Sequence, residues 1–499
     1  MREARRSSWS GPATAVALTT LCLVAACVSQ PPARPLLPPA PSGAPPAFSS
    51  AEIEEIPPPQ TLAERRVPAA SWRSLDNGVA LVTTSAPLRD SAVVILELAG
   101  LGSSSDGERT GLARLSLLSL VAATGLLARL GELGGTLVVS VGLDQARLTV
   151  TTPRSASEAA VLALSGFVLA PPLPPDVFRL TRANEASRVG RLVVEDDGFA
   201  ATQLLYRRVF QLPVSLHPFS SWAASPAEVL GVTLLEARAF LQRRLSPAGT
   251  TLLLANVPAD VAERAGRGPL SRFRGAATVD LAALTPPFPP DDTRLLLVDR
   301  KGSRVTVMRF GFAGVARSSP AYPAIAVAAR LLESALRGDG RVPPTVRVRL
   351  LTEVPRGVVP LVVELSTAED DPAPVVLAVR EIMRRVAGQV ADPLALAEAK
   401  RVVLAPRGGA VVSALHDLLD ERATLRELSP EDFKMGVEAV DYRGLPADLG
   451  PVLDVPPVLV AVGDADRVAG PLSTVADVDV LDAARGFARA KSLVHREAP

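Results

Sequence analysis

The stretch Leu252-Leu253-Leu254-Ala255-Asn256-Val257-Pro258-Ala259-Asp260 returns about 206 residues later as Leu459-Val460-Ala461-Val462-Gly463-Asp464-Ala465-Asp466. Each copy is an apolar run of strand length that ends in a turn and an acidic helix start. Upstream of each copy the elements come in the same order. Strands are predicted at Ala80 to Val82 and Ala92 to Leu98 before the first, and at Arg294 to Val298 and Arg304 to Phe312 before the second. Long apolar helical stretches follow, Leu112 to Leu130 and Tyr322 to Leu336. Strands at Thr136 to Thr152 and Val346 to Leu365 then lead into helices at Ala156 to Leu169 and Pro374 to Val386. Chance likeness between apolar strands competes with duplication, but the shared order favours a duplicated α+β unit.

The break between the copies is Thr285-Pro286-Pro287-Phe288-Pro289-Pro290-Asp291-Asp292, where consecutive prolines remove backbone donors and fix φ. A linker at 285–293 therefore separates expected domains 71–284 and 294–492. The chain has 499 residues, 48% hydrophobic and 21% charged, with 53 basic and 52 acidic side chains. Such a chain buries a core, and its balanced charge argues against nucleic acid as a partner, since binding phosphates requires a concentration of cations. Histidine occurs only at His217, His416 and His495, so a site needing adjacent imidazoles has little to draw on.

The N-terminus has Arg2, Arg5 and Arg6 followed by an apolar run from Ala13 to Ala26, too short to span a bilayer, and reads as a signal peptide over 1–26. Val24-Ala25-Ala26-Cys27 resembles a bacterial lipobox, which makes Cys27 the expected lipid attachment point. Cys22 leaves with the signal, so no disulfide, thiol nucleophile or Cys-ligated metal is expected in the mature chain. Residues 27–70 are rich in Pro and Ala and read as an extended tether. Val28 lacks the acidic character that retains lipoproteins at the inner membrane, which points to the outer membrane, facing the periplasm.

In family order along the chain stand Leu75-Asp76-Asn77-Gly78-Val79, Gly107 to Ala113, Leu130-Gly131-Glu132-Leu133-Gly134-Gly135, His217-Pro218-Phe219 and Val462-Gly463-Asp464. Together they resemble the insulinase or pitrilysin family of inverted-zincin metallopeptidases, over about Ser71 to Ser492. The resemblance implies two homologous α/β sandwich domains, each a mixed, mainly antiparallel sheet packed with helices, forming a clam-shaped cleft. It also implies a zinc-binding His-x-x-Glu-His on the helix after the Gly-Leu-Ala signal, with two imidazoles one turn apart and a glutamate that takes the proton of metal-bound water. This chain reads Gly111-Leu112-Ala113-Arg114-Leu115-Ser116-Leu117-Leu118-Ser119, with Arg114, Leu117 and Leu118 at the three positions. Leucine offers no lone pair and a guanidinium repels a cation, so this helix cannot hold zinc.

The family's third ligand, a glutamate on a facing helix, is expected near Gly190 or, counted from Leu118, at Val194, beside Glu195. Glu195 is a candidate leftover ligand, with a solvated acidic turn at Glu195-Asp196-Asp197 as the alternative, and Glu185 has a similar, weaker claim. His217-Pro218-Phe219 resembles a structural loop of the family, and Tyr322 a helix-start packing position. Ser116 and Ser119 lack a base to activate them. In metal-free members of heteromeric pairs an Arg and a Tyr of the second domain hold the substrate, and here the corresponding stretch has no tyrosine. The corresponding stretch, Gly340 to Val348, offers Arg341 and Arg347, with a solvated strand arginine as the alternative.

These readings predict a non-catalytic, lipid-anchored member with no cofactor, pairing as a heterodimer with an active zinc-peptidase homologue to shape or stabilise a chamber for peptides. The competing expectations are a zinc endopeptidase with an unrecognised ligand set and a stand-alone peptide-binding lipoprotein.

Overall fold

The computed structural model describes residues 69–495 apart from 89, 170–172, 211–216, 221–223, 276–278, 280, 282–283, 285–293, 352–353, 355, 390, 406–410 and 425–427. The signal peptide, Cys27, nearly all of the tether and the linker at 285–293 lie outside the described residues. Ala70, expected as the last tether residue, already opens the first strand.

The first half contains β1 (Ala70–Ser74), β2 (Ala80–Thr84), β3 (Ser91–Ala99), β4 (Thr136–Val141), β5 (Gln145–Pro153) and β6 (Thr250–Ala255). They form one sheet in the order β1-β2-β6-β3-β5-β4, antiparallel except for the parallel β2/β6 pair. The second half contains β7 (Leu295–Asp299), β8 (Thr306–Ala316), β9 (Arg347–Leu350), β10 (Val358–Thr367), β11 (Val458–Gly463), β12 (Val478–Asp482) and β13 (Ala488–Leu493), ordered β13-β12-β7-β11-β8-β10-β9. The run β2-β6-β3-β5-β4 is matched strand for strand by β7-β11-β8-β10-β9, including one parallel pair, β7/β11. Duplication is therefore present in the hydrogen-bond topology, where chance likeness of apolar strands would not put it.

The helices of the first half are α1 (Leu112–Ala123), α2 (Leu126–Glu132), α3 (Ser157–Phe167), α4 (Pro175–Glu195), α5 (Asp197–Val209), α6 (Pro226–Gly231), α7 (Leu234–Arg244), α8 (Ala259–Arg267) and α9 (Pro269–Arg272). Those of the second are α10 (Tyr322–Gly338), α11 (Ala373–Gly388), α12 (Pro393–Leu404), α13 (Val411–Thr424), α14 (Pro430–Ala439), α15 (Leu445–Leu453) and α16 (Ala465–Leu472). The single helix expected over Leu112 to Leu130 is corrected to two, bent by 52°. Gly125 at φ +60° opens α2 from a left-handed conformation that glycine adopts without strain. Among the described residues no single helix is long and apolar enough to cross a membrane, and this bent pair is lined by buried leucines.

Each sheet alternates its side chains between two apolar layers, as the period of two in a strand requires. In the first sheet Val94, Leu96, Leu252 and Leu254 face the large core built with α1 and α3, whereas Val93, Ile95, Leu253 and Ala255 meet Leu415 and Leu419 of α13. That helix belongs to the second half. In return, α5 of the first half lies on the second sheet, contacting β8 and β11. Gly311 on β8 makes room for it, since a Cβ there would come within 2.4 Å of the Leu205 side chain. Each half thus caps the sheet of the other, and strands that read as continuously apolar are buried on both faces because of it.

Each crossing helix also meets a cross-strand ion pair. Under α13, Arg147 Nη2 lies 2.7 Å from Glu97 and 2.6 Å from Asp420, and His416 Nε2 is 2.9 Å from Thr149 Oγ1. Under α5 the charges are reversed on the strands: Arg309 lies 3.5 Å from Glu364 and donates to the Thr202 hydroxyl. His416 is therefore part of the packing between halves, and burial lowers its pKa. His495 Nδ1 lies 3.0 Å from the Ser473 carbonyl.

Candidate functional site

The chain enters α1 through a tight loop. Asp106 accepts hydrogen bonds from the backbone N–H of Gly111 and of Ala113, both at 2.6 Å, and so ties down donors at the start of the helix. Gly111 takes φ +88°, and a Cβ there would lie 2.7 Å from the Ala224 Cβ, so the turn and the close approach both require glycine. Asp106 is buried, and the cost of desolvating its charge outweighs the two donors, raising its pKa to about 7.

From this anchored start α1 presents Arg114 and Leu118, one turn apart, on its partly exposed face, while Leu117, Ser116 and Ser119 are fully buried. The two serines, sealed in the core, cannot act as nucleophiles. Facing α1 is α4, and its contribution is Glu185, only 5% exposed. Arg114 Nε donates to Glu185 Oε1 at 2.7 Å, and Arg188, one turn along α4, donates to the same carboxylate through Nε at 2.8 Å and Nη2 at 2.6 Å. Burial alone would raise the Glu185 pKa; its two arginines overcome this and hold the carboxyl below the usual range.

The residue opposite the degenerate helix is thus Glu185, not Glu195. Glu195 is the exposed last residue of α4, Asp196 caps α5 by accepting from Phe199 N–H, and Asp197 pairs with Arg300 at 2.8 Å. The reason is helical phase: Arg188 and Val189, three and four residues on from Glu185, share its face, whereas ten residues on points elsewhere. Gly190 and Val194 likewise supply no ligand. The signal missed in the sequence is the Glu-x-x-Arg spacing of Glu185 and Arg188.

Zinc does not fit this donor set. Arg114 and Leu118 stand where imidazoles would be needed, the Glu185 carboxylate is already shared by two guanidiniums, and Asp106 is engaged by backbone N–H groups. Among the described residues no group of three His, Cys, Asp or Glu side chains lies close enough to hold a metal ion.

Ser103, Asp106, Thr110, Arg114, Glu185 and Arg188, with Val141 at the end of β4, line a cavity of about 60 Å³. The two halves are also clasped by an ion pair. Arg356 of the second half reaches Asp144 in a fork, Nε to Oδ2 at 2.6 Å and Nη2 to Oδ1 at 2.9 Å, and lies 5.8 Å from the Phe219 ring centre. His217 stacks on Phe210 at 4.3 Å between centroids, and burial lowers its pKa to about 4. His217 thus sits in the structural loop that the sequence assigned it. Tyr322 likewise packs, 5.8 Å from Phe433.

The expected substrate-contacting arginines lie elsewhere. Arg341 is engaged by Asp339 at 2.9 Å and by Glu381 at 2.8 Å on the exposed side of α11. Arg347 is exposed on the edge strand β9, in register with Glu364. Neither lines the cavity beside α1.

No family model and no curated protein matches the chain in sequence. Solved structures do match in fold. A protease from Helicobacter pylori superposes with a TM-score of 0.65 at 14% identity, over 80% of this chain and 100% of that one. An inactive peptidase M16 domain from Pseudomonas fluorescens gives 0.61 at 17% identity, over 79% and 98%. The periplasmic protease PqqL from Escherichia coli gives 0.58 at 14% identity over 81% of this chain but 46% of its own, and its first half alone gives 0.62 over 86% and 98%. This chain therefore has the M16-like, insulinase-type fold, and its helix α1 carries Arg114, Leu117 and Leu118.

Proposed function

We propose that the protein is a non-catalytic peptide-holding subunit of the bacterial cell envelope, working beside a zinc-bearing homologue. The observation that carries this reading is the joint state of α1 and β4. Where α1 would hold the metal, Arg114, Glu185 and Arg188 form an ion cluster. The neighbouring edge strand β4, Thr-Leu-Val-Val-Ser-Val, carries no charge, and Val138 is 60% exposed. Edges of sheets are ordinarily blunted by charge or cover, as in this protein by Arg73 on β1, Arg347 and Arg349 on β9, and Arg489 and Lys491 on β13. An uncharged edge suits an extended peptide that adds a strand through main-chain hydrogen bonds.

Pairing is supported by the likeness to one half of a longer periplasmic protease, in which a second half completes the molecule. Under this reading Cys27 carries the lipid, the tether spaces domains 71–284 and 294–492 from the outer membrane, and no cofactor is needed. Co-expression with the zinc-bearing homologue of the same cell tests it: a stable one-to-one complex is expected on size exclusion. A chain that stays monomeric beside every such homologue, with no peptide binding, overturns the proposal.

A further inference from the structure

The cluster that replaces the metal is not electrically closed. Two guanidiniums, Arg114 and Arg188, share the single carboxylate of Glu185. Arg114 uses Nε alone in that contact and Arg188 uses Nε and Nη2. Among the described residues both terminal nitrogens of Arg114 and Nη1 of Arg188 are left without an acceptor. Their side chains are about a third exposed, at 32% and 35%, and both line the cavity of about 60 Å³. The other acid in the wall, Asp106, is taken up by the backbone N–H groups of Gly111 and Ala113 at the positive end of α1. The cluster of Arg114, Arg188 and Glu185 thus carries one positive charge in excess and planar donors matched to a carboxylate. The cavity has room for about four waters, on the measure of roughly 15 Å³ each, which suffices for a carboxylate. Val141, the last residue of β4, forms part of its wall.

We infer that this cavity is a carboxylate-binding site, which takes the C-terminal carboxylate of a peptide laid along β4. The inference rests on the peptide-holding reading and adds the chemistry that the peptide must present. A guanidinium in the place of the metal would then select chain ends, where a zinc ion would have acted on an internal bond.

The test is fluorescence anisotropy with short labelled peptides of one sequence in three forms: a free C-terminal acid, the amide, and the amide with an internal Asp. The protein is the mature chain and its Arg114→Leu, Arg114→Lys and Glu185→Gln variants, with folding checked by circular dichroism. The acid should bind about tenfold tighter than the amide, the worth of one charge-assisted contact. Arg114→Leu should abolish that preference, Arg114→Lys should keep part of it, and Glu185→Gln should strengthen it by freeing donors, which loss of a merely structural group would not do. Equal binding of acid and amide by the unmodified protein overturns the site while leaving the peptide reading intact. Absence of binding by all three peptides overturns both. An internal Asp that serves as well as the free terminus overturns the selection of chain ends.

Discussion

Replacing Glu185 by alanine removes the acceptor that two guanidiniums share, and its cost follows from the geometry. Three charge-assisted hydrogen bonds of 2.6 to 2.8 Å are lost, from a carboxylate 5% exposed. Removing one partner of a buried ion pair costs about 3–5 kcal/mol when the remaining charge stays buried. Here the remaining charges are about a third exposed and can rehydrate, which brings the expectation to about 2–3 kcal/mol. Glu185→Gln keeps the shape and one acceptor and should cost about half as much. Arg114→Leu should cost only about 1 kcal/mol, because Glu185 retains Arg188 and the new side chain joins Leu118 on an apolar face. Urea denaturation followed by circular dichroism, with midpoints compared at a common slope, gives the three values. The reasoning fails if Arg114→Leu is as damaging as Glu185→Ala, or if Glu185→Ala is silent.

Asp106 and His217 should oppose one another in the pH profile. Asp106, raised to about 7, holds its proton in the folded chain and releases it on unfolding, so its contribution falls as pH rises from about 4 to 7. His217, lowered to about 4, stays neutral when folded, so its contribution is complete above about 6.5 and is lost as pH falls towards 4. Asp106→Asn should therefore leave stability rising with pH through that window, by up to about 1.4 kcal/mol per unit, and a flat difference from the unmodified protein in denaturation midpoints would refute this. The double substitution Arg114→His with Leu118→His places two imidazoles one turn apart beside Glu185 and should create zinc binding, read by titration calorimetry and a zinc-dependent rise in melting temperature. Absence of any zinc response would show that Glu185 is not aligned with those positions. Adding Leu117→Glu should cost at least about 3 kcal/mol, because Leu117 is fully buried. Leu419→Ala, in the helix that the second half lends to the first sheet, should cost about 2–4 kcal/mol and lower the protection from hydrogen exchange of β3 and β6. Unchanged exchange in those strands would contradict the reciprocal capping.

Much of the architecture was legible because its signals are local. The strand cores at Leu252 and Leu459 need nothing beyond an uninterrupted apolar run, and the repeat order of elements predicted the duplicated sheets. The break at Gly125 was not read, since an apolar pattern continues through it and only the backbone conformation reveals the bend. The polar 21-residue α4 was expected only as the facing helix that the resemblance implies, without its bounds, so the face that carries Glu185 and Arg188 together was not read. Counting residues from Leu118 led towards Glu195, whereas helical phase and packing across 71 residues of separation choose Glu185. Arg341 looked free in the sequence because Glu381, forty residues away, is brought beside it by the packing of α11.

Coordination is a property of side-chain atoms, so the sequence by itself determined that α1 cannot hold a metal: Arg114, Leu117 and Leu118 offer no ligand in any fold. What stands in the metal's place is a property of packing. The approach of α4 to α1 decided that a carboxylate and a second guanidinium complete the cluster, and the exchange of α5 and α13 decided how both sheets bury their second faces. Charge pairing and burial act over a few ångströms, and the chain reaches those distances only after segments far apart in sequence are folded together.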